Sequence, residues 1–127
     1  MTISLHHVQV SCPTGGEDAA RSFWVDALGL TEVPKPEALQ GRGGCWFRSY
    51  DEQGAVSAEI HVGVEDGFRP AQKAHPALVV DDLDAVAGRL RGGDHPVDLA
   101  ERDTFPGYHR LHTIDPHGNR VEILQPR

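Results

Sequence analysis

Alternating apolar and polar positions predict short β-strands in both halves of the chain. In the first half, strand-forming residues fill positions 3–10, 30–34, 45–50 and 56–64. In the second half, they fill positions 75–80, 95–101, 109–114 and 120–125. Turn-forming residues such as Gly, Pro, Asn and Asp separate most of these runs. The pattern therefore predicts eight strands, four in each half.

A helix with one apolar face is predicted after the first strand of each half. In the first half, Thr14 followed by Glu17 forms a capping-box pattern that opens a helix to about Leu28. Its apolar positions recur at helical spacing and predict packing on a sheet: Ala20, Phe23, Trp24, Ala27 and Leu28. In the second half, residues 81–93 ("DDLDAVAGRLRGG") predict a helix that begins at an Asp cap and ends at two glycines.

The order of these elements repeats, which predicts two tandem βαβββ modules. The chain then divides into module one, a bridge and module two: residues 1–64, 65–74 and 75–127. Both modules carry a D-x-x-G turn before their last strand, at Asp51–Gly54 and Asp115–Gly118. One module has too few strands to bury both faces of its sheet. We therefore expect the two to fold together as a single α+β domain over residues 1–127.

Charge and cysteine usage narrow the partners and the location. The net charge of −7 disfavours nucleic acid and anionic membrane surfaces as partners, because both repel an acidic protein. No apolar stretch approaches the roughly 18 residues of a membrane-spanning helix. Cys12 and Cys45 have no paired spacing, so we expect reduced thiols and a cytoplasmic protein.

Three segments carry a resemblance to a known family: "FWVDALGL" (23–30), "HPALVVDDLDAV" (75–86) and "DPHGNRVEILQP" (115–126). Together with the repeat, they resemble the vicinal oxygen chelate superfamily, which includes glyoxalase I, bleomycin and fosfomycin resistance proteins, and extradiol dioxygenases. The resemblance implies two βαβββ modules whose sheets form one incomplete barrel around a cavity. It also implies a homodimer.

The resemblance further implies a metal site on the first and last strands of the two modules. The matching positions of this chain are His7, His61, His75 and Glu122. Imidazole and carboxylate donors suit one divalent ion of Mn, Fe, Co, Ni or Zn, which can polarise a substrate carbonyl. Glu59 shares a strand face with His61 and is an alternative donor, and glyoxalase I typically has Glu at the position of His61.

Other polar and aromatic residues are candidates for substrate chemistry. His112 lies three residues before Asp115, where several family members carry a substrate-facing Tyr, and it is a candidate acid or base beside Glu122. Trp46, Arg48 and Arg110 are predicted to line the substrate cavity, where an Arg could hold a carboxylate or phosphonate. The alternative for the polar residues is cross-strand pairing at the cavity rim.

Two functions follow from the family resemblance. The first is a glyoxalase-like, divalent-metal-dependent enzyme of lyase, isomerase or oxygenase type that acts on a small oxygenated metabolite. The second is a metal-free protein that sequesters a drug, as bleomycin resistance proteins do. Such proteins line their clefts with aromatic side chains, and the four Phe, two Trp and two Tyr of this chain disfavour a large flat ligand.

Overall fold

Module one forms a four-stranded sheet with one helix, in a computed structural model that describes residues 1–127. Its elements in chain order are β1 (Val8–Cys12), α1 (Glu17–Arg21), a π-helical continuation (Ser22–Ala27), β2 (Thr31–Val33), a 3-10 helix (Glu37–Arg42), β3 (Cys45–Tyr50) and β4 (Val56–Val64). The strand order is β1-β4-β3-β2, with β1 parallel to β4 and the other pairs antiparallel. The predicted bounds of β3 and β4 are confirmed.

Module two repeats this arrangement with one strand fewer. Its elements are β5 (Ala77–Val79), α2 (Leu83–Gly92), β6 (Tyr108–Ile114) and β7 (Arg120–Pro126). The strand order is β5-β7-β6, with β5 parallel to β7 and β6 antiparallel to it. The two open sheets, each with its helix, confirm the predicted α+β fold. No strand of one module pairs with a strand of the other, so the sheets remain separate ladders.

Two of the predicted strands differ from the structure. Residues 95–101 do not form a strand, and only Asp98 pairs there, in an isolated bridge to His112. Pro96 has no backbone N–H to donate, so this segment cannot extend the ladder. The first strand begins at Val8 rather than at residue 3, which leaves the exposed side chains of Ile3 and Leu5 outside any sheet.

The two helices begin differently from one another. The predicted capping box at α1 is wrong, because Glu17 accepts a hydrogen bond from the distant backbone N–H of Gly44 instead of capping its own helix. Gly44 has a φ of 85°, and a Cβ there would lie 2.1 Å from the carbonyl oxygen of Val62. The predicted Asp cap of α2 is confirmed, since Asp82 accepts from the N–H of Ala85.

Both modules contribute to one hydrophobic core, which lies on the helix side of the sheets. Its fully buried members include Phe47 and Ile60 from module one and Leu111 and Ile123 from module two. Because side chains alternate across a strand, the neighbours of these residues point to the opposite face of each sheet. That opposite face carries the predicted site residues.

Two further expectations concern reduced cysteines and the lack of a membrane-spanning helix. Cys12 and Cys45 are buried and unpaired, and burial raises the pKa of Cys45 to about 11. Its thiol therefore stays protonated at neutral pH. No helix has the length and apolar character that crossing a membrane requires.

Candidate functional site

The hairpins that end the two modules have matching hydrogen-bond registers. Each begins with an Asp whose side chain accepts backbone N–H bonds within its own turn, Asp51 in module one and Asp115 in module two. Three residues before that Asp, Arg48 pairs with Glu59 in one ladder, and His112 pairs with Glu122 in the other. Glu59 is therefore the counterpart of Glu122 in the repeat.

A β-bulge hides this equivalence in the sequence. Ser49 pairs with Ala58 but Tyr50 pairs with Val56, so β4 contains one extra residue, Ser57, relative to β7. The same register pairs Trp46 with His61 and Arg110 with Leu124. His61 thus corresponds to Leu124, which cannot bind a metal, and the register favours Glu59 over His61 as the counterpart of Glu122.

In module one, Glu59 is held by two neighbours on its sheet face. Arg48 Nε donates to Glu59 Oε1 at 2.7 Å, and His61 Nε2 lies 2.6 Å from Glu59 Oε2. The His61 ring stacks between two other rings, with centroid distances of 4.0 Å to Trp46 and 3.9 Å to His7. Glu59 and His61 are both buried.

Hydrogen bonding decides the charge of Glu59, and burial decides that of His61. Burial raises the pKa of Glu59, but its bonds with His61 and Arg48 outweigh burial and hold the pKa below its ordinary value. Burial lowers the pKa of His61 despite the opposing bond to Glu59. At neutral pH the pair is therefore an ionised carboxylate and a neutral imidazole whose Nε2–H donates to it.

The stacking of His7 on His61 limits what these two rings can bind together. The two rings are stacked face to face, with centroids 3.9 Å apart and planes that differ by only 16°. A metal ion binds imidazole nitrogen in the ring plane at about 2.0–2.1 Å. One ion cannot lie in two stacked planes at once, so His7 and His61 cannot both be ligands of the same ion in this arrangement.

In module two, Glu122 is the centre of a second cluster. His75 Nε2 lies 3.0 Å from Glu122 Oε1, and Arg110 Nη1 donates to Glu122 Oε2 at 3.1 Å. The other ring nitrogen of His75, Nδ1, donates to the backbone carbonyl of Lys73 at 2.8 Å. This is the orientation in which a metal-binding His presents Nε2 to the ion.

His112 lies beside this cluster, as predicted. Its Nε2 is 4.0 Å from Glu122 Oε1, and its ring centroid is 6.2 Å from that of His75. Burial lowers the pKa of His112, outweighing the raising effect of Glu122, so the imidazole is neutral at neutral pH. For Glu122, burial raises the pKa, but the bonds to His75 and Arg110 hold it below its ordinary value.

The predicted ligands do not come together within one chain. The side-chain contacts of His7 and His61 stay in module one, and those of His75 and Glu122 stay in module two. No group of three or more His, Cys, Asp or Glu side chains is arranged to hold a metal ion. The first-strand histidines also differ in register, because Val8 and Leu78 occupy matching positions and His75 lies two residues further upstream than His7.

A cavity of about 540 Å³ is lined by residues from both modules. Its walls are mainly aliphatic, and its polar edge includes His7 and Glu59. His75 instead borders a second cavity of about 420 Å³ beside β1. Trp46, Arg48 and Arg110 border neither of these cavities, and the two arginines contact the carboxylates instead.

Solved structures of several kinds of protein share this fold. A Bacillus anthracis protein described as belonging to the glyoxalase family is 38% identical, with a TM-score of 0.88, over 100% of this chain and 98% of that one. TnmS3, an antibiotic binding protein from Streptomyces sp. CB03234, is 26% identical, with a TM-score of 0.67, over 100% and 99%. FosX, a fosfomycin resistance protein from Listeria monocytogenes, shares the fold at 14% identity, with a TM-score of 0.73, over 100% and 96%.

Sequence comparison identifies the family of the chain. No curated protein matches the chain. A family model matches residues 4–123, which is nearly the whole chain. The protein therefore belongs to the Glyoxalase/Bleomycin resistance protein/Dioxygenase superfamily.

Proposed function

We propose that this protein is a divalent-metal-dependent enzyme that acts on a small metabolite with adjacent oxygen atoms. The observation that carries the proposal is the convergence of His75 Nε2 and Glu122 Oε1 at 3.0 Å, with the other nitrogen of His75 held by a backbone carbonyl. Glu59 is the counterpart of Glu122 in module one, and His7 lines the same cavity as Glu59. The proposed donors are therefore His7, Glu59, His75 and Glu122.

The chemistry of these donors fits a first-row divalent ion. Two carboxylates balance the charge of one such ion, and two neutral imidazoles complete four protein ligands. When bound, the ion would act as a Lewis acid toward the adjacent oxygens of a substrate. The superfamily includes lyase, isomerase and oxygenase chemistry, and the donor set is compatible with each.

His112 is the candidate acid or base of the reaction. Because its pKa is held below the ordinary value by burial, its neutral ring can accept a proton at a nitrogen atom near pH 7. Its Nε2 lies 4.0 Å from Glu122 Oε1, so a substrate next to that carboxylate would come within its reach. The backbone of His112 is fixed by two hydrogen bonds with Asp98, which orient the side chain.

Arg48 and Arg110 hold the proposed carboxylate donors. Each donates from its guanidinium to the Glu on the neighbouring strand, and Arg110 also bonds to Thr104 and to the carbonyl of Glu101. Because their N–H groups already donate to these carboxylates, the two arginines are better suited to orienting the glutamates than to binding a substrate anion directly. This matches the cross-strand pairing that is the alternative interpretation of the sequence.

We also propose that a second copy of the chain completes the site. Within one chain, the pair His7 and Glu59 and the pair His75 and Glu122 do not form one metal-binding group, and β1 and β5 each have a free edge. Exposed apolar side chains at Leu5, Val56 and Val79 border the main cavity. Covering this apolar mouth and these free edges favours a homodimer in which module one of one copy meets module two of the other.

Elemental analysis of protein purified without an affinity tag tests the proposed function. We expect about one Mn, Fe, Co, Ni or Zn per chain, with the content lost when His75 is changed to Ala. Changing the half-buried His109, which lies at the start of β6 and is paired with Asp103, serves as the matched control and is expected to leave the metal content unchanged. Protein that takes up no metal even after reconstitution would contradict the proposal.

A second candidate function is the sequestration of a drug or natural product. It is favoured by the 26% identity to the antibiotic binding protein TnmS3 and by the largely aliphatic cavity of about 540 Å³. The same elemental analysis separates the two functions, because a sequestering protein of this kind needs no metal.

A further inference from the structure

The residue of module two that matches His61 is Leu124, which can neither donate nor accept a hydrogen bond through its side chain. Across the ladder, His61 pairs with Trp46, whereas Leu124 pairs with Arg110. A buried imidazole at a position that is aliphatic in the other module calls for a specific partner. That partner is Glu59, whose Oε2 lies 2.6 Å from His61 Nε2.

The two modules hold their equivalent carboxylates with the same chemistry from different positions. Glu122 is held by Arg110 and His75, whereas Glu59 is held by Arg48 and His61. Each carboxylate thus has one guanidinium and one imidazole. In module two the imidazole comes from the start of β5, and in module one it comes from β4 itself.

Stacking fixes the orientation of the His61 ring. The Trp46 indole is nearly parallel to it, with an interplanar angle of 4° and a centroid distance of 4.0 Å. His7 covers the opposite face at 3.9 Å. With both faces covered, the ring cannot turn without losing a stacking contact, so Nε2 remains directed at Glu59. An ionised carboxylate only accepts hydrogen bonds, so Nε2 of His61 carries the proton and donates it to Glu59 in the metal-free protein.

We propose that His61, clamped by Trp46, is a positioning residue that aims the carboxylate of Glu59 at the metal ion. The proposal rests on the proposed metal site and deepens it, because it makes His61 a hydrogen-bond partner of a metal donor and not a donor itself. Substituting such a partner typically changes metal affinity by about 10–100-fold without changing the set of donors.

Titration of the full-length protein with Co²⁺, followed by visible absorption, tests this role. His61→Leu copies the residue of module two and removes the hydrogen bond at similar volume. We expect it to bind Co²⁺ with the wild-type stoichiometry and spectrum but with a dissociation constant about 10–100-fold higher. His61→Gln, whose side-chain amide can again donate to Glu59, is expected to recover part of the affinity.

Three results would overturn the role of His61. A changed Co²⁺ spectrum together with lost stoichiometry in His61→Leu would make His61 a ligand. An unchanged dissociation constant would make it unnecessary. In the metal-free protein, long-range ¹H–¹⁵N spectra should show the Nε2–H tautomer of His61, and the Nδ1–H tautomer would contradict the hydrogen bond itself.

Failure of the proposed function has a different signature. Wild-type protein that binds no Co²⁺ would remove the metal site and with it the positioning role. Binding by the wild type with an unaffected His61→Leu variant would remove only the positioning role. Thermal unfolding of the metal-free variants shows whether His61→Leu and His61→Gln remain folded, so that a loss of affinity is not mistaken for a loss of structure.

Discussion

Replacing Glu122 by Gln is expected to weaken Zn²⁺ binding by more than about 100-fold. This exceeds the roughly 10–100-fold that follows from mutating a hydrogen-bond partner of a metal ligand. The carboxylate is buried, and hydrogen bonds to His75 and Arg110 keep it ionised. Gln has nearly the same shape but has lost the negative charge, so one anionic donor is removed while packing is retained. Competition with a chromophoric chelator measures the dissociation constant.

The matched control for this variant is Glu52→Gln, which removes the same charge from an exposed position in the turn between β3 and β4. We expect it to bind Zn²⁺ as the wild type does. In the metal-free protein, Glu122→Gln is expected to lower the free energy of unfolding by about 1–3 kcal/mol, because its charge-assisted bonds become weaker. Wild-type Zn²⁺ affinity in Glu122→Gln would exclude this carboxylate as a donor.

Mixed dimers are expected to restore metal binding that both parent variants have lost. If module one of one copy meets module two of the other, a dimer of one His7→Ala chain and one Glu122→Ala chain contains one doubly altered site and one intact site. Such a heterodimer should bind about one Zn²⁺, against about two for the wild-type dimer, as two-fold symmetry requires. A site within one chain would be defective in both copies and would bind none.

The heterodimer can be isolated with two different histidine-free affinity tags, one on each variant, after co-expression. The matched control is a heterodimer of one His7→Ala chain and one Glu59→Ala chain. Both changes then lie in module one, so each of the two sites is defective in either arrangement. Metal binding by this control would show that the remaining donors suffice, and it would invalidate the complementation as evidence for a shared site.

The sequence predicts most of the fold because the hydrophobic pattern and the turns agree. Apolar and polar positions alternate in residues 45–50 and 56–64, which flank the turn that begins at Asp51. These residues form β3 and β4 as predicted. Residues 95–101 contain similar strand formers but also Pro96, and only Asp98 pairs. A capping pattern is equally local, and it fails at Glu17 because a tertiary contact with Gly44 takes up the carboxylate.

The residues of the candidate site are harder to predict from the sequence than the strands that carry them. Both Glu59 and His61 point to the same face of β4, and nothing in the sequence marks the bulge at Ser57 that sets their register against β3. Only the pairing of Arg48 with Glu59 and of His112 with Glu122 identifies the two glutamates as equivalent. The stacking of His61 on Trp46 likewise depends on cross-strand register, which a single strand does not reveal.

Anomalous diffraction at the zinc edge, from crystals of the full-length protein grown with Zn²⁺, tests the proposed site most directly. We predict one strong peak per site, with donor atoms of His7, Glu59, His75 and Glu122 at about 2.0–2.2 Å. His61 should remain hydrogen-bonded to Glu59, outside the reach of the ion. A peak ligated by other residues, or no peak at zinc concentrations that saturate solution binding, would contradict the account.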